Sequence, residues 1–143
     1  MALERFHYVV IDDNKLDHFI AKKVIENVGN AASYHQFDSA ETALDFLKDY
    51  SFADGIRLFI FIDIYMPVTD GFEFVEILSR TIPLYNLNAH CHLCFLSSSI
   101  NNEDLVKVKS LNISADFLSK PLLTEGFQNY LEKIKTPASH SHH

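Results

Sequence analysis

The sequence predicts a three-layer α/β domain whose middle layer is a parallel sheet. Short apolar runs alternate with amphipathic segments along the chain, the pattern of repeated strand–helix units. The strongest apolar runs are continuous, not alternating, so those strands are expected to be covered on both faces, as parallel strands are. The chain has 143 residues, which suits one domain with a core large enough to need no disulfide or metal staple.

The first strand is read at Tyr8-Val9-Val10-Ile11. Leu16, Phe19, Ile20, Val24 and Val28 then fall at helical spacing, and Gly29 stands where a C-terminal cap belongs. Ser33 to Phe37 is a weaker strand. Asp38-Ser39-Ala40-Glu41 has the look of a capping box ahead of a helix through Ala43, Leu44 and Leu47. Asp49 to Ile56 reads as a long loop. Leu58 to Ile62 is the longest purely apolar run and the central strand. Phe72, Val75 and Leu78 open a third helix that Pro83 ends, and Thr81 to Cys91 reads as an extended connection. Leu93 to Leu96 is the fourth strand, Asn102 to Lys109 a helix, Ala115 to Leu118 a weak fifth strand, and Glu125 to Ile134 the last helix. Residues 1–135 are expected to form the domain and 136–143, which follow no periodicity, a disordered tail. Crossovers between the parallel strands should be right-handed.

Charge narrows the function. The formal net charge is −7, from 19 acidic and 12 basic side chains. A surface of that sign is poorly suited to neutralising nucleic-acid phosphates or docking on anionic membranes. No apolar run approaches the length of a membrane span, and no signal-peptide core is present, so a cytoplasmic location is expected. Two cysteines cannot build a disulfide framework. In Cys91-His92-Leu93-Cys94 strand alternation would send the two thiols to opposite faces, and there is no second ligand cluster for zinc, so core or surface roles are expected.

In open parallel sheets, chemistry gathers at the carboxyl ends of the strands. Asp12 and Asp13 follow the first run, Asp63 the third, Ser97-Ser98-Ser99 the fourth, and Ser119-Lys120-Pro121 the fifth. Taken singly, each has an ordinary explanation. Asp13 alone would be a helix N-cap, Ser97 to Ser99 could cap the next helix, and a Lys-Pro is commonly a solvated loop. Taken together, three carboxylates, an ammonium and a hydroxyl converge on one sheet edge. Carboxylates so close repel one another, and a hard divalent cation such as Mg²⁺ relieves the repulsion. Cation, lysine and hydroxyl are what a transferring phosphoryl group needs around its oxygens, and a carboxylate can be its nucleophile.

With these residues the chain resembles the response-regulator receiver domain of two-component signalling. The resemblance is carried by Asp12-Asp13, by Asp63-Ile64-Tyr65-Met66-Pro67-Val68-Thr69-Asp70-Gly71, by Leu96-Ser97-Ser98 and by Asp116-Phe117-Leu118-Ser119-Lys120-Pro121. It implies a flavodoxin-like (βα)₅ fold with strand order 2-1-3-4-5. It implies Asp63 as phosphoacceptor, with Mg²⁺ bound by Asp12, Asp13, Asp63 and the backbone carbonyl of Tyr65. It also implies Lys120 and Ser97 on the phosphoryl oxygens, Phe117 as a switch aromatic beside Ser97, and a cis bond before Pro121. The implied phosphoryl donor is a sensor histidine kinase or a histidine phosphotransfer protein, and the implied output is a downstream protein target, with no direct nucleic-acid or membrane contact. On this reading the protein is no turnover enzyme, although it catalyses its own phosphorylation and dephosphorylation. No output domain follows the last helix, so a stand-alone receiver or an excised one is expected.

Two alternatives belong to other classes. A haloacid-dehalogenase-like phosphatase also uses a strand-end Asp, but needs a second Asp two residues on, where this chain has Tyr65. A pseudo-receiver that only binds partners would lack the acidic pair, the acceptor or the lysine, and all are present. Asp63 stands 50 positions after Asp13, somewhat more than in compact receivers, and the longer connections affect partner surfaces rather than the pocket. Tyr65 and Ser99 hold positions that tune phosphoryl lifetime in the family, and the bulk of Tyr65 is expected to hinder an attacking water.

Overall fold

The protein is described from a computed structural model that covers residues 5–52, 55–111 and 113–135. The tail at 136–143 lies outside the described residues. Among the described residues the elements run in the order β1 (Phe6–Ile11), α1 (Lys15–Val28), β2 (Ala31–Phe37), α2 (Ala40–Lys48), β3 (Leu58–Asp63), α3 (Gly71–Thr81), α4 (Leu84–His90), β4 (Cys91–Ser97), α5 (Asn102–Lys109), β5 (Ala115–Ser119) and α6 (Thr124–Lys135). The strands form one parallel sheet in the order β2-β1-β3-β4-β5.

Strand alternation divides the core in two. Val9 and Ile11, Leu58, Ile60 and Ile62, and Leu93 and Phe95 face α2, α3 and α4, where they meet Ala43, Leu47, Val75, Leu78 and Leu87. The intervening residues Phe6, Tyr8, Val10, Phe59, Phe61, Cys94 and Leu96 face α1 and α6 and meet Val24, Ile25, Phe127 and Leu131. Every residue of β3 is buried, which is why its sequence reads as one uninterrupted apolar run ending in a carboxylate. The α1–α6 face is aromatic. Tyr8 stacks on Phe59 at 5.6 Å between ring centroids, and Phe127 and Tyr130 approach the same cluster.

Two expectations need correction. Thr81 to Cys91 is not an extended connection, because α4 occupies Leu84–His90. This helix has no side-chain cap and buries only Leu87, so it carries no apolar stripe to announce it. It is held instead through His90, whose ring lies 5.7 Å from that of Phe52 and whose Nδ1 lies 3.2 Å from Ile56 O. Nor do Asp38 and Glu41 form a capping box. Ser39 is the N-cap of α2, and Glu41 turns outward to accept a short hydrogen bond from Thr69 Oγ1 in the loop after β3. The two cysteines fall as alternation predicts: Cys94 is buried in the α1–α6 core, and Cys91 packs against the opposite one. Burial pushes the Cys91 thiol up to about 12, so it is a poor nucleophile.

Candidate functional site: an acidic pocket at the carboxyl edge of the sheet

Backbone bonds at three strand ends shape the pocket. After β1, Asp12 N donates to Phe37 O at 3.0 Å, and Asp12 Oδ1 accepts from Asn14 N at 2.9 Å. That tight turn draws Asp12 under the surface and leaves Asp13 exposed. Asn14, not Asp13, caps α1, since its side chain accepts from Asp17 N. After β3, Gly71 N donates to Ile64 O at 2.8 Å and closes the loop that follows Asp63. A Cβ on Gly71 would lie 2.8 Å from Asp63 O and 3.0 Å from Ile64 Cα, so only glycine permits the return. After β4, Lys120 N donates to Ser97 O at 2.9 Å, which holds the β5 end beside the β4 end. The Lys120–Pro121 peptide bond is cis.

Side chains from 103 residues apart then meet. Lys120 Nζ lies 2.7 Å from Asp12 Oδ2, 3.0 Å from Asp17 Oδ2 and 3.4 Å from Asp63 Oδ2. Burial alone would lower the lysine's pKa, but the hydrogen bonds and charges of Asp12, Asp17 and Asp63 outweigh it and raise it. The Asp63 carboxyl shows the opposite balance. Burial raises the pKa of Asp63 and the charge of Asp12 adds to that, against the lowering effect of Lys120.

Oxygen atoms of Asp12, Asp13 and Asp63 all lie within 4.8 Å of one another. Asp12 Oδ2 is buried and lies 2.7 Å from the Lys120 ammonium. An all-carboxylate donor set packed this closely is what a hard divalent cation would bridge. The residues present therefore fit Mg²⁺.

The remaining expected residues are near the edge in different attitudes. Ser97 is buried at the end of β4, and its hydroxyl donates to Ser99 O at 2.6 Å and accepts from Ser99 N at 3.2 Å. It is engaged with its own loop, and the helix that follows is capped by Asn101. Phe117 is half-buried, with its ring 5.7 Å from that of Phe95. Tyr65 is 56% exposed, yet its hydroxyl reaches α5, donating to Asp104 at 2.7 and 2.9 Å from the two carboxylate oxygens. Bonding to Asp104 raises the Tyr65 phenol above its usual range. Sequence reasoning missed Asp17 and Asp104. Both are third residues of a helix, where an acid ordinarily reads as a capping group, and nothing local reveals a distant partner.

Comparison with known proteins agrees with this geometry. A family model for the response regulator receiver domain matches residues 8–132. A response regulator receiver protein from Dyadobacter fermentans is 26% identical, covering 93% of this chain and 99% of its own, with a TM-score of 0.77. The chemotaxis protein CheY4 of Vibrio cholerae shares the fold at 18% identity, with 91% and 98% coverage and a TM-score of 0.73. So does the receiver domain of the histidine kinase CKI1 from Arabidopsis thaliana, solved with Mg²⁺, at 22% identity, 90% and 91% coverage and a TM-score of 0.75. No functionally curated protein sequence matches the chain at a significant level. No helix among the described residues is long and apolar enough to cross a membrane. With the family model spanning most of its length and the acidic pair, strand-end aspartate and lysine gathered at one sheet edge, the chain belongs to the receiver domains of two-component response regulators.

Proposed function

We propose that the protein accepts a phosphoryl group on Asp63 from a sensor histidine kinase or a histidine phosphotransfer protein, and that this switches a surface read by a downstream protein. The single observation that carries the reading is the position of Lys120 Nζ, 3.4 Å from Asp63 Oδ2, at the rim of the three-carboxylate cluster.

In the proposed reaction an Asp63 carboxylate oxygen attacks the phosphorus in line. The phosphorus–nitrogen bond of a phosphohistidine breaks as the phosphorus–oxygen bond forms, and the departing imidazole nitrogen takes up a proton. Asp12, Asp13, Asp63 and the Tyr65 carbonyl would hold Mg²⁺, which when bound offsets the negative charge of the transferring group. The Mg²⁺ complex of the CKI1 receiver domain supports the same cation for this chain. Lys120 supplies a fixed positive charge to one phosphoryl oxygen. Ser97 exchanges its bond to Ser99 for one to another. That movement opens space beside β4 into which Phe117 turns, shifting the population of two packings around α5 and β5. Asp63 is consumed and regenerated within the protein itself, so the chain turns over no separate substrate. A phosphatase of the haloacid-dehalogenase type lacks support, because Tyr65 stands where its acid–base aspartate belongs and is bonded to Asp104.

The test is intact mass after incubation with Mg²⁺ and acetyl phosphate. A gain of one phosphoryl group is expected, absent in Asp63→Asn and abolished by a chelator. An unmodified wild-type protein would overturn the reading.

A further inference from the structure

We infer that Asp17 is a positioning residue for Lys120: it holds the ammonium in the unphosphorylated protein and must give it up when a phosphoryl group arrives. The inference rests on the phosphoacceptor reading of Asp63.

The argument begins with helix caps. Asp17 is the third residue of α1, whose N-cap is Asn14. In α3 and α5 the acid at the same position turns back to the N-cap backbone: Asp70 N donates to Glu73 Oε1 at 3.0 Å, and Asn101 N to Asp104 Oδ2 at 3.3 Å. In α1 that donor is already taken, because Asn14 N donates to Asp12 Oδ1 at 2.9 Å. The Asp17 carboxylate is thereby released from capping. It accepts from Lys120 Nζ at 3.0 Å.

An ammonium has three N–H donors, and Lys120 already has three carboxylates around it, from Asp12, Asp17 and Asp63. A phosphoryl oxygen on Asp63 can gain a donor only if one contact is surrendered. Asp12 is fully buried and is expected to be committed to the cation. Asp63 bears the new group. The Asp17 side chain is 25% exposed and is the most readily returned to water. It also adds a fourth negative charge facing the incoming dianion. Both effects oppose phosphorylation, so Asp17 sets a threshold that the phosphoryl group has to overcome.

The experiment measures fluoroberyllate affinity with Mg²⁺ by calorimetry, and the rate of mass gain with acetyl phosphate, in wild type, Asp17→Asn and Asp17→Glu. Asparagine keeps the shape at this helix position and removes the charge. It should raise fluoroberyllate affinity about tenfold, the order of one charge-assisted hydrogen bond, and speed mass gain in the same direction. Asp17→Glu restores the carboxylate and should bring both quantities back toward wild type. The gain in Asp17→Asn should persist at about 0.5 M salt, where a long-range field is screened and a direct contact is not. Unchanged or weaker binding in Asp17→Asn, a gain abolished by salt, or failure of glutamate to reverse it would each overturn the inference. A wild-type protein that neither gains mass nor binds fluoroberyllate would instead bring down the phosphoacceptor reading.

Discussion

The two ends of β3 place a cation in different surroundings. At the amino end, the Arg57 guanidinium lies 5.3 Å from the Phe6 ring centroid and 5.9 Å from that of Phe59, and donates to His92 Nε2 at 3.2 Å. Aromatic faces and a neutral imidazole line that cation. At the carboxyl end, Lys120 sits among three carboxylates, at 2.7, 3.0 and 3.4 Å. The first cation is packed on rings beside an imidazole. The second is held among carboxylates at the sheet edge. The difference teaches where to look for function in this sheet: toward the end where acidic oxygens crowd around one cation.

The comparison can be broken most severely at Phe59, which is fully buried and touches Phe6, Tyr8, Tyr130 and His92. Phe59→Ala should cost about 3–5 kcal/mol in urea unfolding, while the folded fraction still takes up phosphoryl. If phosphorylation per folded molecule fell as well, the two ends would not be separable. Gly71→Ala probes the other end. Its Cβ would press on Asp63 O, so a loss of about 1–3 kcal/mol is expected, together with slower mass gain from the displaced acceptor. Mass gain at the wild-type rate would show that the return of the loop does not position Asp63.

Acid sharpens the same contrast through His92. Burial, then Arg57, lowers the His92 imidazole to about 4, against a partial opposing effect of Asp116. The unfolded chain therefore binds the proton first. Stability should fall as pH drops from about 6.5 toward about 4, by an amount on the order of 2 kcal/mol. In His92→Gln that component of the pH dependence should vanish, and an unaltered slope over this range would refute the account. The smallest expected effect is at Val68, 89% exposed with φ of 70° in the loop after Asp63. A β-branched side chain is strained there, and Val68→Gly should stabilise by about 1 kcal/mol in thermal unfolding. A destabilised Val68→Gly would mean that the valine makes a contact outweighing its strain.

Much of this molecule was legible from its residues. The strongest strands are legible because burial on both faces demands uninterrupted apolar runs, and Asp12, Asp13, Asp63 and Lys120 stand out as candidates because they follow strand ends. The helix Asn102–Lys109 was read with its observed ends because acids begin it and lysines close it. The helix α4 was hidden because a single buried leucine makes no periodic signal. The Asp38–Glu41 box failed because the motif fits two registers, and Ser39 with Thr42 took the one that α2 uses.

Order along the chain thus determined the layers, the strand that ends in Asp63 and the kinds of charge placed beside it, since these follow from burial and period alone. Only the tertiary structure decided which carboxylates hold Lys120, that Tyr65 bonds to α5, and that Asp17 joins the pocket instead of capping its helix. The reason is physical. A side chain's conformation answers to whichever partner folding delivers, and the partner of Asp17 lies 103 residues away. Its release turned on a single backbone N–H, already taken by Asp12.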